Sequence, residues 1–371
     1  MIVPFVRRAG RWLLPLLLMI PAACERPEVE TRPTIPLVRE ILAAKTSPRA
    51  QMLHALEPRP LFDIALVGPE SACERLAEQL VFRDSQDNVD AHFDGDGLPD
   101  FAGETFVCLE DTVSYAAILA RDGEEALRTQ TVLRVLAALD TLVHISPYDL
   151  EGLSTKQRSK LVVLVDPYLA EYGGFDVDTL LRSTGCHVPV VNPFELMLDQ
   201  AFQETGRNDI TVGVLCNPEY AASGIYEQIF ARKAAEAGLT GASCVVGGVE
   251  RRDSVLFTFL HDYRESGHEK PLDVILVDLF SLQQDELKME LAEIVSVMNE
   301  SSMTYGRLIS REFFFLNSYE QTSGFCYDFL RRYNLFTHNI AYPQVSVFRT
   351  VEHPDAENAS IFVIPGSYVQ N

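Results

Sequence analysis

Short runs of branched apolar residues alternate with longer stretches of helical periodicity along most of this chain, and that alternation limits its fold more than any other feature. A strand buried on both faces reads as an unbroken apolar run, whereas a helix lying on a sheet shows a period near 3.6. Strands are expected over 64–67, 105–109, 161–165 and 188–191, with helices over 73–81, 117–143 in one or two pieces, 177–183 and 195–203. The rhythm restarts with a strand over 210–215, a helix over 225–237, a strand over 243–246, a helix over 254–265, a strand over 274–277 and a helix over 285–299. The tail is less regular, with strands expected over 307–316, 346–349 and 361–364 and a helix over 323–333. Repeated βα units of this kind build parallel sheets, and a series that starts twice builds two of them. The fold class is therefore α/β, with two parallel-sheet lobes of similar make.

The amino end carries a separate message. Arg7, Arg8 and Arg11 precede an apolar run over 12–20, no acid occurs before Glu25, and the run ends in Pro21-Ala22-Ala23-Cys24. Nine apolar residues fall short of the ~20 that cross a bilayer, so the run reads as the core of a secretion signal. The small-small-Cys ending resembles the lipobox of bacterial lipoproteins, although Pro21 stands where that motif has a branched apolar residue. The resemblance implies cleavage before Cys24, a diacylglycerol on its thiol, the lipid bilayer as a partner and a place on the bacterial cell envelope. Residues 1–23 are then the signal peptide and 24–59 a tether and lead-in, whose proline-bearing polar start over 25–35 suits a linker. Residues 60–206 form the first lobe, 207–300 the second, and 301–371 cross back to complete both.

Loss of 1–23 removes three arginines and no acid, so the exported chain is more acidic than the formal −22 of the whole. Such a charge disfavours nucleic acid and anionic surfaces as partners. The apolar content of 47% over this length supplies cores for two lobes. Six cysteines follow Cys24, and Cys108, Cys216 and Cys244 lie in apolar runs, which predicts buried free thiols over a full set of bridges.

The stretch 210–238, a strand, a turn at Asn217-Pro218-Glu219-Tyr220, and a long helix ending in Ala237-Gly238, resembles the start of the second lobe in type I periplasmic binding proteins, as does the later strand 273–278. That resemblance implies an α/β fold of two doubly wound parallel-sheet lobes with a cleft between them, closing by a hinge on a small-molecule ligand, with delivery to a membrane transporter or sensor.

In an open parallel sheet, ligands meet the carboxyl ends of the strands, where loops converge and helix N-termini offer free N–H groups. The candidate ligand-binding residues are Glu70 and Ser71, Asp111, Asp166 and Tyr168, Asn192, Asn217 and Tyr220, and Asp278 and Phe280. Glu110, Glu219, Ser223 and Glu250 occupy similar strand-end positions. Asp166, Asp278 and Tyr220 rank first, since each follows closely on a buried strand. The many acids point to a hydroxyl-rich or cationic solute such as a sugar, nucleoside or amine.

Asp94-Gly-Asp96-Gly-Leu-Pro-Asp100 resembles the calcium loops of EF-hand and thrombospondin type 3 repeats, which makes Asp94, Asp96 and Asp100 candidate calcium ligands. Position twelve of the loop is Thr105, not an acid. No phosphate-binding glycine loop, Gly-x-Ser-x-Gly or His-Glu-x-x-His string occurs. Binding without catalysis is thus the leading expectation. A cleft enzyme is the alternative, hydrolase-like or similar to two-lobed amino-acid racemases, whose paired strand-end cysteines would correspond to Cys108 and Cys216. A third reading is a surface interaction lipoprotein with no small ligand.

Overall fold

The structure, a computed structural model, describes residues 32–86, 95–146, 149–250, 254–268, 270–280, 282, 284–298, 305–352 and 361–366. Cys24 and Asp94 lie outside the described residues. From Thr34 onward the chain packs as a unit built on two principal sheets.

The first sheet takes β1 (Asp63–Pro69), β2 (Thr105–Asp111), β5 (Ser159–Leu164) and β6 (Val190–Val191) from the first half of the chain, and β11 (Gln344–Glu352) and β12 (Ile361–Pro365) from its end. Between β2 and β5 lies a hairpin of β3 (Leu142–Ser146) and β4 (Asp149–Thr155). The second sheet holds β7 (Thr211–Cys216), β8 (Ser243–Gly248), β9 (Leu272–Val277) and β10 (Ile309–Asn317). The strand orders are β12-β11-β2-β1-β5-β6 and β10-β9-β7-β8. Every pairing is parallel except that of β11 with β12 at the edge of the first sheet. The α/β class with parallel sheets is therefore as expected from the apolar runs. The cause is plain in β5, β7 and β9, where every residue is buried and, past the polar residues at their amino ends, the side chains on both faces are apolar.

Helices form where expected, with instructive edges. The span 117–143 is two helices, Tyr115–Asp122 and Glu124–Leu139, because Gly123 takes φ 86°, a conformation that ends one helix and starts the next. Val143 then belongs to β3, and the hairpin is an element that the sequence reading missed. Its apolar residues are divided between faces, with Leu142, Ile145 and Leu153 exposed, while His144 packs its ring 4.3 Å from that of Phe362. Neither period is therefore legible there. All six described cysteines are free thiols; Cys108 and Cys216 are buried as their apolar runs predicted, whereas Cys244, in the third such run, is only half-buried.

The largest hydrophobic cluster runs through both lobes. Val67, Leu109 and Leu164 of the first sheet belong to it with Val212, Val214 and Leu276 of the second, along with Phe194, Tyr226 and Ile229 from helices. On another side, the Gln79 side-chain amide donates to the Phe280 carbonyl, and the Tyr319 hydroxyl donates to the Gln79 carbonyl at 3.2 Å. The lobes are thus joined by a continuous core and by polar contacts, with a cavity between them that opens to solvent.

Candidate functional site

The carboxyl ends of β1, β2, β5, β7 and β9 converge on a cavity of about 310 Å³, near the lower end of the range for small-molecule sites. The first lobe lines it with Ser71 and Arg75, with the loop from Asp111 to Ala116, and with Asp166 and Tyr168; the second supplies Asn217, Glu219, Tyr220, Tyr226, Asp278 and Phe280. Eight of the ten residues nominated for ligand contact are here: Ser71, Asp111, Asp166, Tyr168, Asn217, Tyr220, Asp278 and Phe280.

The other two are placed elsewhere. Asn192 is a helix cap: its side-chain oxygen accepts from the N–H groups of Phe194 at 3.0 Å and Glu195 at 3.2 Å, and its amide donates to the Leu164 carbonyl at 2.8 Å. Glu70 opens the helix Glu70–Phe82 and meets Arg349 at 3.3 Å, outside the cavity wall.

Three carboxylates at this cavity each receive a tyrosine hydroxyl. Tyr115, four residues beyond Asp111 and the first of the next helix, donates to Asp111 Oδ2. Tyr220 donates to Asp166 Oδ2 at 2.5 Å, from the second lobe to the first. Tyr226 donates to Asp278 Oδ2 at 2.5 Å. The sequence reading did not single out Tyr115 or Tyr226. Tyr115 carried a faint signal in its spacing of four from a strand-end acid, whereas Tyr226 reaches Asp278, 52 residues away in sequence, only through tertiary packing.

The three acids differ in electrostatic state. Asp111 is neutralised by a guanidinium, Arg134 Nε and Nη2 meeting its two oxygens at 2.5 and 2.8 Å, and the Thr350 hydroxyl also donates to it. Among the described residues, no cation pairs with Asp166. Burial pushes its pKa up to about 7, helped by the charges of Asp278 and Asp111 and opposed by the Tyr220 hydroxyl and the Tyr168 N–H, which donates at 2.8 Å. Asp278 is also raised by burial, against the Tyr226 hydrogen bond. The phenols of Tyr115, Tyr220 and Tyr226 are pushed up as well, burial leading and the neighbouring carboxylate charge adding to it, so they serve as donors.

Aromatic faces continue the wall from one lobe to the other. The Tyr168 ring lies 6.1 Å from that of Tyr172 and 6.0 Å from that of Tyr220, and Tyr220 lies 6.3 Å from Tyr226.

Cys108 and Cys216, the pair matched to racemase thiols, do not line this cavity. Both are buried, and burial raises their thiols, so the thiolates such chemistry needs are disfavoured. In the acidic loop, Asp100 spends its carboxylate on Arg83 Nε at 3.0 Å and on the N–H groups of Ser85 and Gln86, both at 2.9 Å. Asp96 accepts from the Leu98 N–H at 2.8 Å, as turn residues do. Asp100 is thus held in an ion pair and by backbone N–H groups, while Asp94, the first of the three candidate ligands, lies outside the described residues.

No protein-family profile and no curated protein sequence matches this chain. Among solved structures, glutamate racemase from Francisella tularensis in complex with D-glutamate is similar over 79% of this chain and 89% of that one, at 12% identity and a TM-score of 0.45. Glutamate racemase from Campylobacter jejuni is similar over 80% and 95%, at 8% identity and a TM-score of 0.39. A LacI-family transcriptional regulator from Rhizobium etli is similar over 79% and 98%, at 13% identity and a TM-score of 0.27. At these values the likenesses carry no statement about ligand or activity.

Proposed function

We propose that the cavity between the two sheets binds a small polar solute bearing ammonium or hydroxyl groups, a sugar, nucleoside or amine, for uptake or sensing at the bacterial envelope. The observation that carries this reading is the set of three carboxylate–tyrosine pairs, Asp111 with Tyr115, Asp166 with Tyr220 and Asp278 with Tyr226, around one small cavity. Carboxylates held out of water accept strongly from N–H and O–H donors, and a bound solute offsets their desolvation. Anions are disfavoured, because Asp111, Asp166, Glu219 and Asp278 line the cavity against the single arginine Arg75 among the described lining residues. The tyrosine rings supply faces for the apolar side of a sugar or for a cation. Attachment through a lipid on Cys24 would keep the lobes beside a membrane transporter or sensor. None of the described helices is long and apolar enough to cross a membrane.

Calorimetry of the purified protein against sugars, nucleosides, amines and amino acids tests the binding reading. Saturable heat with one class, weakened at least about tenfold by Asp166→Asn, is the expected outcome; about 1.4 kcal/mol corresponds to that factor. A flat response to every class ends this reading. Cys24→Ala should move the protein from the membrane fraction to the soluble one, and unchanged partition excludes the lipid anchor.

A cleft enzyme is the second reading, and one specific observation favours it. Asp166 and Asp278 reach the cavity from opposite lobes, both with raised pKa, and Asp166 at about 7 is placed to hold or release a proton near neutrality. Turnover of the bound solute, followed by NMR in deuterated buffer, separates an acid–base enzyme from a binder.

A further inference from the structure

A second cluster of carboxylates stands outside the cavity wall. Glu70 and Glu74 are one turn apart at the start of the helix Glu70–Phe82, so their side chains share a face. Glu110 is the penultimate residue of β2, paired in register with Gly68 of β1 and Arg349 of β11. Alternation along β2 puts Glu110 on the same face as Cys108, which packs with Cys73, Leu76 and Leu80 of that helix. Gly68 has no side chain to stand between. One carboxylate oxygen from each of Glu70, Glu74 and Glu110 therefore lies within 4.8 Å of the other two.

Acids at a helix start are common, and three of them alone would show only a favourable dipole interaction. The independent observation is Glu110. It is 1% exposed, and its Oε1 is a buried acceptor with no hydrogen-bond partner. An orphaned buried carboxylate oxygen costs several times what a typical hydrogen bond contributes, unless something fills the gap. Arg349 does not: its guanidinium meets Glu70, at 3.3 Å, and its Nε is itself without a partner. Three carboxylates beside one guanidinium leave two negative charges, which one divalent ion neutralises.

The geometry points to a divalent cation site formed by Glu70, Glu74 and Glu110, taking an oxygen-preferring ion such as Mg²⁺, Mn²⁺ or Ca²⁺. Three carboxylate ligands leave coordination positions for water or for an oxygen of a second ligand. Ser71 and Arg75 of the same helix line the solute cavity, so the ion would stand beside it and order the helix that forms its wall.

The experiment is calorimetric titration of the full chain, stripped with EDTA, with MnCl2, MgCl2 and CaCl2 in turn. One saturable site per chain, at a dissociation constant below about 1 mM, is expected for at least one ion. Glu110→Gln and Glu74→Gln should each weaken it at least about tenfold. Both should keep a metal-free melting temperature at or above that of the wild type, since each removes a repelling charge. Glu74 is only half-buried, so its variant remains decisive if Glu110→Gln does not fold. Asp166→Asn should leave ion affinity unchanged, which separates this site from the solute cavity. The inference is overturned if no ion saturates a site, if both glutamine variants bind as the wild type does, or if binding is lost with Asp166→Asn or Asp96→Asn instead.

Discussion

The hydroxyl of Tyr220, carried by the second lobe, donates to Asp166 of the first at 2.5 Å and so closes the cavity across the lobe boundary. Asp166 is 3% exposed and pairs with no cation among the described residues, so this hydrogen bond and the Tyr168 N–H are what favour its charged form. A solute that donates to Asp166 would compete with Tyr220 for the same oxygen, which couples binding to the contact between lobes.

The raised pKa of Asp166 makes stability depend on pH. The folded carboxyl, at about 7, holds its proton more tightly than the unfolded one at 3.8, so the protonated form favours folding. That contribution is fully present below about pH 4 and is lost as pH rises through about 7, worth on the order of a few kcal/mol across the window. Asp166→Asn should flatten this part of the profile and melt a few degrees above the wild type at pH 8. Melting curves from pH 4 to 8 measure it, and parallel profiles for the two proteins would refute the assignment. A cationic solute should bind more tightly as pH rises through 7 and release protons on binding.

Tyr226→Phe removes the hydroxyl that donates to Asp278 and leaves a buried carboxyl short of one donor. The expected cost is about 1–3 kcal/mol. Because that donor holds the Asp278 pKa down, its loss should raise it further. Urea denaturation near pH 5 and pH 8 should show the larger loss at the higher pH.

Arg134 and Asp111 form an ion pair whose side chains are 3% and 1% exposed. Arg134→Met leaves Asp111 charged and uncompensated, at a cost of about 3–5 kcal/mol. The double variant Arg134→Met/Asp111→Asn should recover more than half of that loss. A double-mutant cycle by denaturant unfolding gives the coupling, and additive single effects would contradict the pairing.

Gly173 and Gly174 are adjacent yet should respond oppositely to alanine. A Cβ on Gly173 would stand 2.2 Å from Thr131 Cβ, whereas one on Gly174 meets nothing within 4 Å. Gly173→Ala should destabilise by about 1–3 kcal/mol through overpacking, and Gly174→Ala should be neutral or stabilise by up to about 1 kcal/mol. Thermal melts of the two variants check the contrast.

Much of this protein follows from its sequence alone, because a strand buried on both faces has to be apolar throughout. The runs at 64–67, 161–165, 210–215 and 274–277 therefore announced β1, β5, β7 and β9, and with them the parallel α/β fold. They also placed the cavity, since the residue just past such a run stands where loops converge; Asp166 and Asp278 were found that way. The partners of those acids were decided only by tertiary packing. Arg134 comes from the middle of a helix to reach Asp111, 23 residues away in sequence, and Tyr220 crosses 54 residues to reach Asp166. Asn192 shows the converse, a strand-end residue whose side chain is consumed by a helix N-terminus. Glu70 lies in the same class of position but is turned by its helix toward Glu74 and Glu110. Local pattern sets which residues stand at the mouth of a sheet, because periodicity and burial act over a few residues. Which of them share a proton, an ion or a ligand depends on helices brought together from distant parts of the chain.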